Sequence, residues 1–320
     1  MSILATAKER RREAPEGLVF QTLQAAKDAT IRYAYQEADE RRAKGTVIFV
    51  PGRTEFIEKF VEDMHVWNAF GFSVGAIDLR GQGLSTRPGP SREKHHVESF
   101  DDHIDDLHLV VEAIGKAGSP KPFYLMAHSA GGHVTLRYLH QHIGQITRAF
   151  MTAPMIGIAN GGLPAFLVRS LPGFMDKVGL GAAYVPGHKA FKYGQWGWRK
   201  QLTHDMDRFE DEDYFINEKE SRLAVGGATY RWVKEALDSC EKLTAGGVAE
   251  SIRTPYLILQ AGMEGIVDNA AQDAFVARSS AGRLAKIDGA KHEIMKETDD
   301  KRLKMWTEIA QDMALDTEQL

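Results

Sequence analysis

Phe123-Tyr-Leu-Met-Ala-His-Ser-Ala-Gly-Gly132 is the stretch on which the fold turns. Phe123 to Met126 is a short apolar run, as expected of a strand buried on both faces of a parallel sheet. Ala127-His128-Ser129-Ala130-Gly131 follows the pattern G-x-S-x-G with alanine for the first glycine, and a helical pattern runs from Gly131 to Gln141. Strand, tight turn bearing serine, then helix is the setting in which that pentapeptide forms a nucleophile elbow. Such a turn is strained, so the residues around the serine must be small, and the methyl of Ala127 is the least possible departure. The pentapeptide alone is a weak signal, since a serine before a helix commonly just caps it. Between a buried strand and a helix it is a specific one.

Working outward, similar apolar runs occur at Thr46–Val50, Phe72–Ile77, Pro122–Ala127 and Pro255–Gln260, with weaker ones at Ile146–Thr152 and Leu284–Ile287. Helical stripes alternate with them. One is Phe56, Phe60, Met64 and Trp67 within Glu55–Phe70; another is Ile104, Leu107, Val111 and Ile114 within Phe100–Ala117. Alternating strands and helices predict an α/β fold with a mostly parallel central sheet flanked by helices. Glu16–Glu37, with a turn signal at Lys27-Asp28, predicts an antiparallel hairpin at the sheet edge. Lys301–Leu320 predicts a closing amphipathic helix with Leu303, Trp306, Ile309, Ala310 and Met313 on one face. The alternation stops after Pro154. Residues 155–242 hold no buried-strand run but carry Trp196, Trp198 and Trp232 among Tyr184, Phe191, Tyr193, Phe209, Tyr214, Phe215 and Tyr230, with Gly162-Leu-Pro and Leu171-Pro-Gly as breaks. This predicts a core of residues 1–154 and 243–320 with a helical cap inserted at 155–242. An aromatic-rich insertion over a sheet end suits a lid for an apolar ligand; a second small core that only packs on the first is the plainer alternative.

Composition narrows the class. In 320 residues, 40 Lys and Arg face 44 Asp and Glu, a net charge of −4 that argues against a nucleic-acid binder. Apolar residues at 43% suffice for a full core. The single cysteine, Cys240, excludes an intrachain disulfide or a thiolate zinc site. No run approaches a membrane span, and the opening residues lack a signal-peptide pattern, so a cytoplasmic location is expected. The run Lys8, Arg10, Arg11, Arg12 could make a weak peripheral contact with anionic lipid, but Glu9 and Glu13 dilute it, and a solvated helix is its expected fate.

A serine hydroxyl needs a base, and the base an orienting carboxylate. Of 12 histidines, His95, His96, His103, His108, His140 and His142 lie on or near predicted helices and are expected at or near the surface. His128 and His133 flank the elbow. His292, in Gly289-Ala-Lys-His-Glu-Ile just after a strand, can reach Ser129 from the same sheet end. The acid should precede it, in the order serine, acid, histidine. Leu257-Ile-Leu-Gln-Ala-Gly-Met-Glu-Gly-Ile-Val-Asp offers Glu264 and Asp268; Glu264 is favoured, because Asp268 sits where it would cap the next helix. The oxyanion needs paired N–H donors. Ala130 supplies one, and Arg53 in the loop Pro51-Gly-Arg-Thr-Glu-Phe supplies the other. The Arg53 side chain could meet a substrate phosphate, though a salt bridge with Glu55 or Asp78 is the commoner fate. Asp78-Leu-Arg-Gly-Gln-Gly-Leu-Ser85 lacks a phosphate-loop pattern and reads as a structural turn beside the site. No metal-ligand spacing appears, and a serine mechanism of this kind calls for no cofactor.

These motifs, in this order between Gly45 and Trp306, resemble the α/β-hydrolase superfamily, specifically the bacterial lysophospholipase L2 and monoacylglycerol lipase group of serine hydrolases. The resemblance implies a triad of Ser129, Glu264 and His292, oxyanion donors at Arg53 and Ala130, a helical cap at the aromatic insertion, and a small-molecule acyl ester of a single-chain lipid as substrate. It departs from the group at Ala127, and at Glu264, where many relatives have Asp, which keeps Asp268 in play. Two other functions are weighed. A prolyl aminopeptidase on this fold would need an acidic pocket for a free amine, for which Glu210-Asp-Glu-Asp213 is the candidate, although such a run is usually a solvated face. A non-catalytic binding protein would have no need of a serine, acid and histidine in order.

Overall fold

The computed structural model describes residues 2–159, 164–192 and 201–320; Gly162, Leu163, Tyr193, Trp196 and Trp198 lie outside them. Eight strands form one sheet: β1 (Leu18–Ala25), β2 (Ala29–Gln36), β3 (Thr46–Val50), β4 (Ser73–Ile77), β5 (Phe123–His128), β6 (Arg148–Thr152), β7 (Tyr256–Ala261) and β8 (Gly282–Ile287). Their spatial order is β1-β2-β4-β3-β5-β6-β7-β8. From β4 to β8 every pairing is parallel. The pairings of β1 with β2 and of β2 with β4 are antiparallel. The edge hairpin turns at Lys27 and Asp28, both in the left-handed region (φ 59° and 54°), as a tight two-residue hairpin turn requires. Strands β3, β4, β5 and β7 are buried at every position, which explains their unbroken apolar runs. Each buried Val, Ile, Leu or Phe contributes about 1.5–3 kcal/mol.

Ten helices accompany the sheet among the described residues: α1 (Ile3–Glu9), α2 (Val61–Ala69), α3 (Asp101–Lys116), α4 (Ala130–Gln141), α5 (Ala165–Met175), α6 (Met206–Tyr214), α7 (Tyr230–Thr244), α8 (Val248–Ser251), α9 (Asn269–Val276) and α10 (Asp299–Asp312). In α3 the predicted stripe of Ile104, Leu107, Val111 and Ile114 is buried. The helix expected over Glu55–Phe70 is instead a 3-10 turn, Ile57–Phe60, leading into α2. Every residue from Val61 to Trp67 is buried. The carboxylates of Glu62 and Asp63 survive there because Arg208 and Arg302 meet Glu62 at 2.9 and 3.3 Å and Arg302 meets Asp63 at 3.0 Å. Phe56 leaves the expected stripe and joins a separate cluster with Phe215, Ile216 and Leu223.

Three surface expectations are overturned. The closing helix ends at Asp312, which pairs with Arg148 and Arg283; Ala314 at φ 51° then turns the chain away. Leu303 is on the exposed side of α10, while Arg302 and Met305 are buried. The N-terminal basic run is not simply solvated. Arg11 and Arg12 lie 3.1 and 2.7 Å from the buried Asp211 of α6, and Lys8 lies 2.9 Å from Asp299. For the same reason Glu210–Asp213 is not a solvated face: Asp211 and Asp213 are buried, and Glu212 lies 3.1 Å from Lys59.

Between β6 and β7 the described chain is helical, with no strand among the described residues. Helix α7 turns Trp232, Ala236, Cys240 and Leu243 into the main core, and residue 242 falls inside it. By contrast α5 exposes Phe166 and Phe174, 69% and 62% accessible. Among the described residues no helix is long and apolar enough to cross a membrane.

Candidate active site

Ser129 follows β5 directly and precedes α4, with φ 50° and ψ −116°, a conformation that L-residues rarely adopt. The turn is held on both sides. The Ser129 N–H donates to Thr152 O at 3.0 Å, and its carbonyl accepts from His133 and Met155. The bend also demands bare backbone: a Cβ on Gly131 would lie 2.2 Å from the Val50 carbonyl oxygen, and one on Gly132 would lie 2.7 Å from Pro154. Ala127 is fully buried in β5, so the alanine is accommodated.

The sheet order places the loops after β5, β7 and β8 at one end. The last two are stitched together by N–H groups of Gly262 and Met263 donating to Ile287 O (3.1 Å) and Ala290 O (2.8 Å). Across them Ser129 Oγ lies 2.9 Å from His292 Nε2, and His292 Nδ1 lies 2.8 Å from Glu264 Oε2. Ser129 and His292 are buried, and so is the side chain of Glu264. The other Glu264 oxygen accepts the N–H groups of Gly265, Ile266 and Val267 at 2.9, 2.8 and 3.3 Å. Burial pushes this carboxyl up, but His292 and the backbone donors outweigh it and hold it below the usual range. An ionised Glu264 accepts from Nδ1–H, leaving Nε2 to accept from the serine hydroxyl. Asp268 is not in this chain of bonds; it caps α9, accepting from Ala270 and Ala271.

Arg53 lies in the loop after β3, beside the elbow. Among the described residues neither its N–H nor that of Ala130 donates a backbone hydrogen bond. Gly52 admits the close approach, because a Cβ there would lie 2.9 Å from the His128 ring. The expected salt bridge of the Arg53 side chain is not formed. Glu55 instead accepts the Gly52 N–H and pairs with Lys59 at 3.0 Å, and Asp78 pairs with Arg32 at 3.0 Å. The Arg53 guanidinium sits 5.7 Å over the Trp232 ring.

The Asp78–Ser85 turn is structural, as expected, but one member does more. Gln82 Nε2 donates to Gly52 O (2.7 Å) and Glu55 O (2.8 Å), and its Oε1 accepts the Thr54 N–H (3.1 Å). It braces the Arg53 loop. The signal for this was available, since β3 and β4 are adjacent parallel strands and their following loops must meet. The histidine expectation also needs revision: His95, His96 and His103 are buried. His128 packs its ring 4.8 Å from that of His292. Burial, with the neighbouring His292, pulls its pKa down to about 3, so it is neutral, with Nδ1 donating to Thr152 O. Lys59 sits behind this pair and ties Glu55, Glu212 and Glu293 together at 3.0, 3.1 and 2.8 Å. No group of potential metal ligands occurs among the described residues.

The chain shows its kinship in three comparisons. Residues 41–299 match the model of a family described as serine aminopeptidase, S33. The chain is 32% identical to lysophospholipase L2 of Escherichia coli K12, over 84% of this chain and 78% of that protein. It is 30% identical to the probable lysophospholipase L2 of Haemophilus influenzae, over 88% of each. Among solved structures it resembles a soluble variant of monoglyceride lipase from Saccharomyces cerevisiae with TM-score 0.71 and 18% identity, over 94% of this chain and 95% of that one. That likeness establishes the fold. With the family model spanning most of its length and relatives at this identity, the chain belongs to the serine aminopeptidase S33 family of α/β-hydrolases.

Proposed function

We propose that the protein cleaves carboxylic esters of single-chain lipids, lysophospholipid or monoacylglycerol, through a Ser129–His292–Glu264 triad and an acyl-enzyme. The observation that carries this reading is the unbroken series of hydrogen bonds from Ser129 Oγ through the imidazole to Glu264. Its related proteins are called lysophospholipases. His292 Nε2 takes the hydroxyl proton as Oγ attacks the ester carbonyl. The N–H groups of Arg53 and Ala130 receive the oxyanion, and the positive end of α4 adds to them. The imidazolium, steadied by Glu264, then gives its proton to the leaving alcohol oxygen. Water repeats the cycle on the acyl-enzyme, with His292 again as base, and releases the fatty acid. Residues 155–242 act as the cap over this site, and the cytoplasmic setting belongs to the same proposal.

The family's description makes an aminopeptidase the second reading. It needs an unopposed acid for the substrate's amine. Asp211 is held by Arg11 and Arg12, and Glu212 by Lys59, which favours the ester reading. The test is labelling by a fluorophosphonate probe, with turnover of lysophosphatidylcholine, monoolein and an aminoacyl amide, for wild type and Ser129→Ala. Wild type should label and cleave an ester. Ser129→Ala should keep its circular dichroism, lose labelling and fall on the order of 10⁴-fold or more in kcat. Full turnover by Ser129→Ala would end the proposal.

A further inference from the structure

We propose that the cavity adjoining the Ser129 site receives the phosphate group of the substrate, with the Arg53 guanidinium as its main ligand. This rests on the ester-hydrolase reading and narrows its substrate to a phosphate-bearing lipid. A cavity of about 330 Å³ is lined by Arg53, Thr54, His188, Lys189, Lys192 and Glu212, among others. A smaller recess of about 70 Å³ holds Ser129 and His292, and Arg53, Thr54 and Glu212 line both spaces. One residue thus offers its backbone to the reacting carbonyl and its side chain to the neighbouring chamber.

The guanidinium is charged, shielded and unmatched. Its Nη1 is buried and has no hydrogen-bond partner among the described residues. Burial lowers its pKa only to about 10, so it stays protonated near neutrality. An unfilled buried donor costs about 1–3 kcal/mol, more when charged, and a ligand oxygen would relieve that cost. The acids nearest in sequence are engaged elsewhere: Glu55 with Lys59, Asp78 with Arg32. Glu212 is the carboxylate in the chamber, and Lys59 lies 3.1 Å from it. Lys189 and Lys192 are exposed at the rim and add positive charge. His188 stays neutral, its pKa lowered to about 4 by burial and by Arg53, and its Nδ1 accepts the Ala228 N–H. The chamber therefore carries an excess of positive charge around a fork-shaped donor suited to phosphate oxygens. A released fatty acid would place its own carboxylate at Ser129. An anion beside the Arg53 side chain must then belong to the alcohol portion of the ester, which is where a glycerophospholipid carries its phosphate.

The experiment compares 1-oleoyl-lysophosphatidylcholine with 1-monoolein, which share acyl chain and glycerol and differ in the phosphate headgroup. The readout is the ratio of their kcat/KM values in wild type, Arg53→Met, Arg53→Lys and Lys189→Gln/Lys192→Gln. Disturbance of the oxyanion loop slows both substrates and cancels in the ratio. Wild type should favour the lysophospholipid. Arg53→Met should lower the ratio by about 10–100-fold, as for loss of a charged hydrogen bond, with Arg53→Lys between, and the double variant should lower it a few-fold. Glycerophosphocholine should inhibit wild type better than inorganic phosphate does; the reverse order would mark a site for free phosphate and overturn the headgroup assignment. Turnover of both lipids with an unchanged ratio in Arg53→Met would overturn this inference alone. A wild type that cleaves neither lipid would overturn the ester-hydrolase reading and this inference with it.

Discussion

The β5–α4 elbow and helix α6 both border the same site but are held there by different forces. The elbow is fixed by backbone against backbone. Gly131 and Gly132 leave no room for a Cβ, and Ser129 is pinned through both its amide and its carbonyl. Helix α6 is fixed by charge. Arg208 reaches Glu62, Asp205 and Asp299 at 2.9, 2.7 and 2.6 Å, Asp211 holds Arg11 and Arg12, and Glu212 joins Lys59. The contrast separates a part whose geometry has no close alternative from a part whose position depends on protonation and on partners far away in the chain.

The largest effect expected from breaking the rigid side is catalytic. Glu264→Gln should leave the imidazole without its anionic partner and lower kcat by about 10²–10⁴-fold. Asp268→Ala should cost about 0.5–2 kcal/mol in a urea melt, through loss of the α9 cap, and leave kcat close to wild type. If the two results change places, the acid has been assigned to the wrong residue.

On the charged side, Lys59→Met would strand Glu55, Glu212 and Glu293 together in a buried space. A loss of about 3–5 kcal/mol in unfolding free energy is expected. A loss below 1 kcal/mol in denaturant titration would mean that this ammonium does not join α6 to the sheet.

Acid should separate the two regions. Near the elbow His103, His128 and His133 are buried and neutral, their pKa values lowered by burial to about 4, 3 and 3. The unfolded chain binds protons near pH 6.5 that the folded chain refuses. Their contribution is therefore complete above that pH and is lost on acidification, by up to about 1.4 kcal/mol per pH unit for each group. Beneath α6, burial raises Glu62, but Arg302 and Arg208 more than reverse it and hold it at about 2. Its stabilisation is present above about pH 4.5 and fades only below. Hydrogen exchange read between pH 7 and 5 should show protection falling in α4 before it falls in α6. Simultaneous loss would mean that the two regions open as one unit.

The same division explains what could be read from residues alone. Strands buried on both faces leave unbroken apolar runs, so β3 to β7 were legible within a residue or two, and with them the elbow and the loops bearing Glu264 and His292. Burial of His95, His96 and His103 was not, because their partners come from other elements. Nor was the pairing of Arg11 and Arg12 with Asp211, some two hundred positions away; a run of like charge looks solvated until its opposite is placed beside it. Helix α2 escaped for a related reason. Its Glu62 and Asp63 read as a water-facing side, yet arginines from α6 and α10 bury them.

The grip of Arg11 and Arg12 on Asp211 has a practical side. The first dozen residues, which hold no part of the proposed chemistry, act as a clasp on the helix that carries Glu212 to the reaction chamber. An affinity handle fused ahead of them, or a shortened expression clone that drops them, would tamper with that clasp. Enzymology on this chain is best done with the purification tag at the other end.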